Sequence, residues 1–321
     1  MDLVRILNDA IGRLPKGEHS AGLVAIMRHI SIAIRHFERK EERDADSFTD
    51  AIYRTNQAFE GSLKEAYRVL AGKDPSGKTP NEIEKYLENK NIIRPRVLTQ
   101  LTRYRHDYRN PSTHDYKLDF DEDEALIAIV SVCAFTKLLV DQISEQLAYR
   151  EAASSPPPKD VVALDLDDYD VFVKTILQTA LDFTNGVKPK TTQSEFEGGL
   201  AGKLSSVGFS TSIESNFNFD GEEFTWDIFV THGGNKFPIE TRAVSEKYLP
   251  GRGYAAYIVA GGLRDMGLTS GLAILVGESQ SNYKLYEANV EGVKLYVISQ
   301  WNIDNVEKLH LDISGNIKQI S

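Results

Sequence analysis

Apolar residues recur every three or four positions through most of the first half of the chain. Over 23–43, Leu23, Ile26, Ile30, Ile34 and Phe37 fall on one side of a 3.6-residue repeat; over 47–70, Phe48, Ile52, Phe59 and Leu63 do the same. Both stretches predict amphipathic helices, the second with Asp46 or Ser47 as its N-cap. KDPSGKTPNEIEKY reads as a loop re-entering a helix, with Thr79 as cap, Pro80 at the first helical position and Glu82 completing the cap. Helices over 94–109 and 122–145 complete an up-and-down bundle. At the N-terminus, Asp2, Arg5, Asp9 and Arg13 interrupt the apolar pattern, so an amphipathic helix is expected there and not a signal peptide.

The period changes after EAASSPPPKD, residues 151–160. Pro156, Pro157 and Pro158 fix φ and remove three backbone donors, which predicts a semi-rigid linker between 1–150 and 161–321. Beyond it, 167–185 and 194–207 keep helical spacing. FSTSIESNF, FTWDIFVT, KFPIETRAV, GLAILVG and VKLYVIS are then short runs rich in β-branched and aromatic residues, each predicting a strand, with a helix over 254–266 between the third and fourth. The expected fold is therefore multidomain α and α/β: an N-terminal helical bundle followed by an α/β/α core.

Composition narrows this. A chain of 321 residues, 41% apolar and 26% charged, is the size of two ordinary globular domains of about 150 residues each. No run reaches the roughly 18 uninterrupted apolar residues of a membrane span. The single cysteine, Cys133, excludes an intrachain disulfide and a cysteine zinc cage and suits a reducing compartment, so a cytoplasmic protein with no membrane partner is expected. The net charge of −10 is uneven. Residues 1–150 carry 23 Lys and Arg against 24 Asp and Glu, leaving 14 against 23 of the chain's 37 and 47 for the remainder. Neither half is a general nucleic-acid binder driven by counterion release. One basic segment stands out, IIRPRVLTQLTRYRHDYR, with Arg94, Arg96, Arg103, Arg105 and Arg109 against Asp107 alone. Arg103, Arg105 and His106 are its candidate nucleic-acid contacts.

That segment runs into R-N-P-S-T-H, residues 109–114. An imidazole at His114 can take a ribose 2′-hydroxyl proton, the guanidinium of Arg109 can hold a pentacoordinate phosphate, and the Asn110 amide can orient either. Asn followed by Pro is equally a way to stop a helix. Together with EIEKYLENKNIIRP and DEDEALIAIVSVCAFTKLLVDQI, the motif makes residues 18–148 resemble a HEPN domain. The resemblance implies a helical bundle that dimerises so that two Arg-Asn-x-x-x-His motifs face one cleft. It also implies metal-independent RNA cleavage of a toxin or antiviral type, with a defence-system partner possible; some members do not cleave.

A second set of residues lies after the linker. Asp227 is the one acid in TWDIFVT, and Glu240 and Arg242 in FPIETRAV alternate onto one face. If their strands are neighbours, Asp227, Glu240 and the Thr241 carbonyl are hard oxygen ligands suited to Mg²⁺, with Glu197 reaching in from QSEFEGGLAGKLSSVGF. Solvated strand charges and a cross-strand ion pair would give the same spacing. This assembly resembles a PD-(D/E)xK restriction-endonuclease-like core of the Mrr-like branch over about 165–300. Glu197 matches its helix acid, Asp227 and Glu240 its strand acids, and Arg242 stands where the family has lysine. Arg stays charged and cannot act as a base. The resemblance implies Mg²⁺-dependent DNA cleavage, or, with Arg242, a weakened core that binds nucleic acid or a partner without cutting.

Overall fold

The computed structural model describes residues 2–38, 45–114, 117, 119–156, 165–188, 190–219, 222–243, 259–277, 282–290, 292–300 and 318–320. The side chains of 45, 114, 215, 217–219, 222–224, 243 and 318–320 lie outside that description. The chain divides into two compact units, Met1–Gln146 and Leu147–Ser321. Helices fill the first and strands dominate the second, a general α/β layout.

In the first unit, α1 (Leu3–Arg13) starts on Asp2, whose carboxylate accepts from the Arg5 N–H. Next come α2 (His19–Phe37), α3 (Ala45–Leu70) and α4 (Pro80–Asn89). Thr79 and Glu82 close the expected capping box, and Pro80 opens α4. The predicted helix over 94–109 is α5 (Pro95–Tyr104) followed by a π-turn, Arg105–Arg109, in which the Asn110 N–H reaches back five residues to the Arg105 carbonyl. The helix does not stop at Asn110: a short α6 (Asn110–His114) follows. Pro111 has no N–H, and its ring would press on the carbonyl four residues back, so the turn before it widens instead of breaking. The core is built on Phe59, whose ring lies 4.8 Å from Tyr104 and 5.0 Å from Phe135.

Helix α7 runs from Glu122 to Ala153. Among the described residues it alone is long and apolar enough to cross a membrane, and more than half of its most apolar window is buried. It is helical through the first three positions of the expected 151–160 linker; residues 157–164 lie outside the described set.

In the second unit, α8 (Tyr169–Gly186) begins on Asp168 and α9 (Gln193–Ser206) on a Thr192–Glu195 capping box. Among the described residues seven strands follow: β1 (Ser210–Phe219), β2 (Glu222–His232), β3 (Asn235–Ala243), β4 (Ser270–Val276), β5 (Lys284–Val290), β6 (Val293–Ser299) and β7 (Lys318–Ile320). They form one mixed sheet, ordered β1-β2-β3-β4-β6-β5-β7. β1–β2–β3 is antiparallel, whereas β3, β4 and β6 run parallel. One face packs α8 and α9 on Ile228, Val230, Ile239 and Ile274; the other packs the helical stretch 259–265 through Val259 and Leu263. The last turns of α7 join the first face. Tyr149 donates to Ser205 Oγ at 3.0 Å, and its carbonyl lies against Gly202, where a Cβ would overlap it. Sequence spacing had given no strand at β5 or β7.

Candidate functional site

The strand acids sit where the sheet is irregular. The β2–β3 register runs from His232↔Asn235 to Ile228↔Ile239 and includes no partner for Asp227. On the other side, the β1–β2 register skips Glu214, whose φ of +44° is in the left-handed region. That conformation costs a non-glycine residue about 1 kcal/mol or more and is kept where the surroundings enforce it. At this gap side chains supply the missing ladder bonds. The Thr241 N–H donates to Asp227 Oδ2 at 2.7 Å, and the Glu240 carboxylate accepts the Asp227 N–H.

Thr241 joins the groups. Its hydroxyl lies 3.0 Å from Asp227 Oδ2 and 2.8 Å from Glu197 Oε1, and the Gln193 amide, one turn back on α9, donates to the same Glu197 oxygen at 2.8 Å. Glu197 and Thr241 are buried, and Glu240 is 5% exposed. Glu240 pairs with Arg242, whose side chain is 45% exposed. Burial, and secondarily the charge of Asp227, push the Glu240 carboxyl up to about 7 despite Arg242. Glu197, Thr241, Asp227, Glu240 and Arg242 thus form one continuous polar chain from α9 across the sheet.

Among the described residues no three His, Cys, Asp or Glu side chains close on one point as a metal cluster. The donor chemistry nonetheless fits a hard divalent cation. Two carboxylate oxygens flank one hydroxyl, and the neighbouring acid keeps its proton through burial first and the charge of Asp227 second. The strand pattern points only to the Thr241 carbonyl, whereas in the structure it is the Thr241 hydroxyl that meets both acids. Gln193 was overlooked too, although Q-x-x-x-E is the i, i+4 spacing at which helix side chains meet.

The first unit distributes its candidates differently. Arg109 donates to Asn110 Oδ1 at 3.2 Å and lies 3.5 Å from Glu60 of α3. The carbonyl of Arg109 accepts from Ser112 and Thr113. Behind it runs a buried polar line: Asn56 donates to Ser112 Oγ at 2.7 Å, Tyr104 donates to Asn56 at 2.9 Å, and Thr55 meets the Tyr104 hydroxyl. His114 ends α6, and its side chain lies outside the described residues.

The basic segment is largely neutralised. Arg105 pairs with buried Glu84 and Arg94 with buried Glu145. Burial raises the Glu84 carboxyl, and Arg105 opposes that shift. Arg103 lies 3.7 Å from Asp107, and His106, 86% exposed, bonds the same acid at 2.8 Å. Exposed Arg103 and His106 remain open to a ligand, whereas Arg105 is held inward by Glu84. His232 ends β2 and lies 3.3 Å from the Gly208 carbonyl.

No family model, curated protein or solved structure matches the chain.

Proposed function

We propose that the chain is a nuclease whose second unit is a restriction-endonuclease-like core that cleaves phosphodiesters with a divalent cation, Mg²⁺ above all. The observation that carries this reading is Thr241 binding Asp227 and Glu197 at once beside an acid titrating near neutrality. Asp227 and Glu197 would hold the cation, with Glu240 as third oxygen donor once it loses its proton. The ion supplies a nucleophilic water and neutralises phosphate charge. Glu240 Oε can take a proton at working pH. Arg242 cannot, and serves as a permanent positive charge toward the phosphate. The antiparallel β1–β2–β3 run continuing into parallel strands, helix-covered on both faces, supports this fold reading.

The first unit favours a second reading, a HEPN-like RNase acting without metal. Its support is Arg109 and Asn110 held together, with His114 four residues on at the end of the same short helix. In that reading Arg109 stabilises the phosphate, His114 is the general acid and base, and two copies of the chain share the cleft as a homodimer. The setting would be cytoplasmic, in phage defence, with RNA or DNA as target and a defence protein as possible partner.

Incubating the full chain with labelled RNA and plasmid DNA, each with Mg²⁺ and with EDTA, tests both. Plasmid cleavage that needs Mg²⁺ and falls by about a hundredfold or more in Asp227→Asn supports the first reading. RNA cleavage in EDTA that vanishes in His114→Ala supports the second. No turnover on either substrate overturns both and leaves a binding protein.

A further inference from the structure

On the α8 face of the sheet, where β4 and β6 begin, lies a cavity of about 400 Å³. None of its lining residues belongs to the carboxylate site. Its volume is in the range of small-molecule pockets, about 300–1,000 Å³. Val173, Leu177, Leu181 and Leu285 make its apolar floor. Around the rim stand two cations, Lys174 and Lys294, and two carboxylates, Asp170 and Glu287. Lys294 lies 3.8 Å from Glu287, while Lys174 makes no ion pair among the described residues.

Two tyrosines face this space. Tyr169 bonds the Ser270 hydroxyl at 2.7 Å and the Thr269 hydroxyl at 3.1 Å. Tyr296 is 7% exposed, lines the cavity, and its hydroxyl makes no hydrogen bond among the described residues. Its hydroxyl is not among the buried polar atoms left without a partner, so it opens on the cavity and is available as a donor to a bound polar group. Burial first, then the charges of Glu287, Tyr169 and Asp170, push this phenol up to about 12, so it stays a neutral donor.

We infer that the cavity binds a nucleoside phosphate. A carboxylate such as Asp170 or Glu287 at the rim accepts hydrogen bonds from vicinal sugar hydroxyls, as an acid does for ribose in dinucleotide sites. The lysines offer point charges to a phosphate. The Tyr296 hydroxyl donates to a sugar or base oxygen, and the leucine floor takes the flat apolar face. An inorganic anion would leave that floor and both acids unused. This inference is independent of the cleavage reading.

Titration calorimetry of the full chain with AMP, GMP, CMP, UMP, ribose 5-phosphate and inorganic phosphate tests it. At least one nucleoside monophosphate should bind with a Kd below about 1 mM. Tyr296→Phe removes one oxygen from a retained ring and should weaken binding about tenfold; exposed Lys174→Ala should do the same without altering the melting temperature. Three results would overturn the inference: no nucleotide binding at that concentration, binding unchanged in both variants, or phosphate alone binding as tightly as the nucleotides.

Discussion

Thr241 donates one hydroxyl proton where two carboxylates compete for it, and its N–H donates to the same Asp227 oxygen, Oδ2. Thr241→Val keeps shape and removes the hydroxyl, leaving buried Glu197 with one donor fewer. Urea denaturation should show a loss of about 1–3 kcal/mol. Glu240 gives a pH signature. Its folded-state pKa near 7 lies above the ordinary carboxylate value, so the folded chain holds this proton more tightly than the unfolded one. The associated stability is fully present below about pH 4 and lost as pH rises through 7. Glu240→Gln should therefore gain on the wild type across that window, by up to about 3 kcal/mol at pH 8, with no difference at pH 4. Thr241 was illegible in the sequence because a threonine in a strand is ordinary; only the parting of β2 from β3 gives it two acids to bridge. The acids themselves were legible, as lone charges in apolar strands.

Elements were read best where their ends carry chemistry. The start of α4 was legible in the Thr79–Glu82 box and the proline at position 80, whereas the Asp168 cap of α8 was not, the helix being expected from 167 on spacing alone. β5 was missed because KLYEANV mixes Glu, Ala and Asn into its alternation, residues that strands seldom favour. The π-turn was missed because Asn-Pro reads locally as a stop, whereas Asn56, about fifty positions upstream and itself held by the Tyr104 hydroxyl, binds Ser112 in the segment that follows. Helix packing makes its own prediction. At Gly202 a methyl group would overlap the main-chain carbonyl of Tyr149, which cannot rotate away. Gly202→Ala should cost about 1–3 kcal/mol in thermal or chemical unfolding, although alanine is the better helix former. Gly22→Ala would meet only the Glu65 side chain and should cost less.

At the scale of the whole chain, charge counted along the sequence misleads. Arg94 and Arg105 lie in a segment with one local acid, yet Glu145 and Glu84 arrive from other helices and occupy them. A polyanion therefore meets fewer available cations than five arginines suggest, on a chain of net charge −10. Nucleic-acid binding, measured as log K against log salt without divalent ions, should show a slope shallower than about −3. Added Mg²⁺ should strengthen that binding, and Asp227→Asn should abolish the gain. The division into a helical unit and a sheet unit was legible because the hydrophobic period itself changes, from about 3.6 to 2.

The widened turn at Arg105–Arg109 has an angular consequence. One surplus residue within a helix shifts every later position by about 100° of azimuth relative to an uninterrupted spiral. Asn110 through His114 therefore owe their compass bearing to that surplus: straightening the turn at full length would swing the whole pentapeptide about a quarter-turn around the axis, whereas deleting a single residue from 105–109 would let an ordinary α-helix close and keep the pentapeptide's bearing.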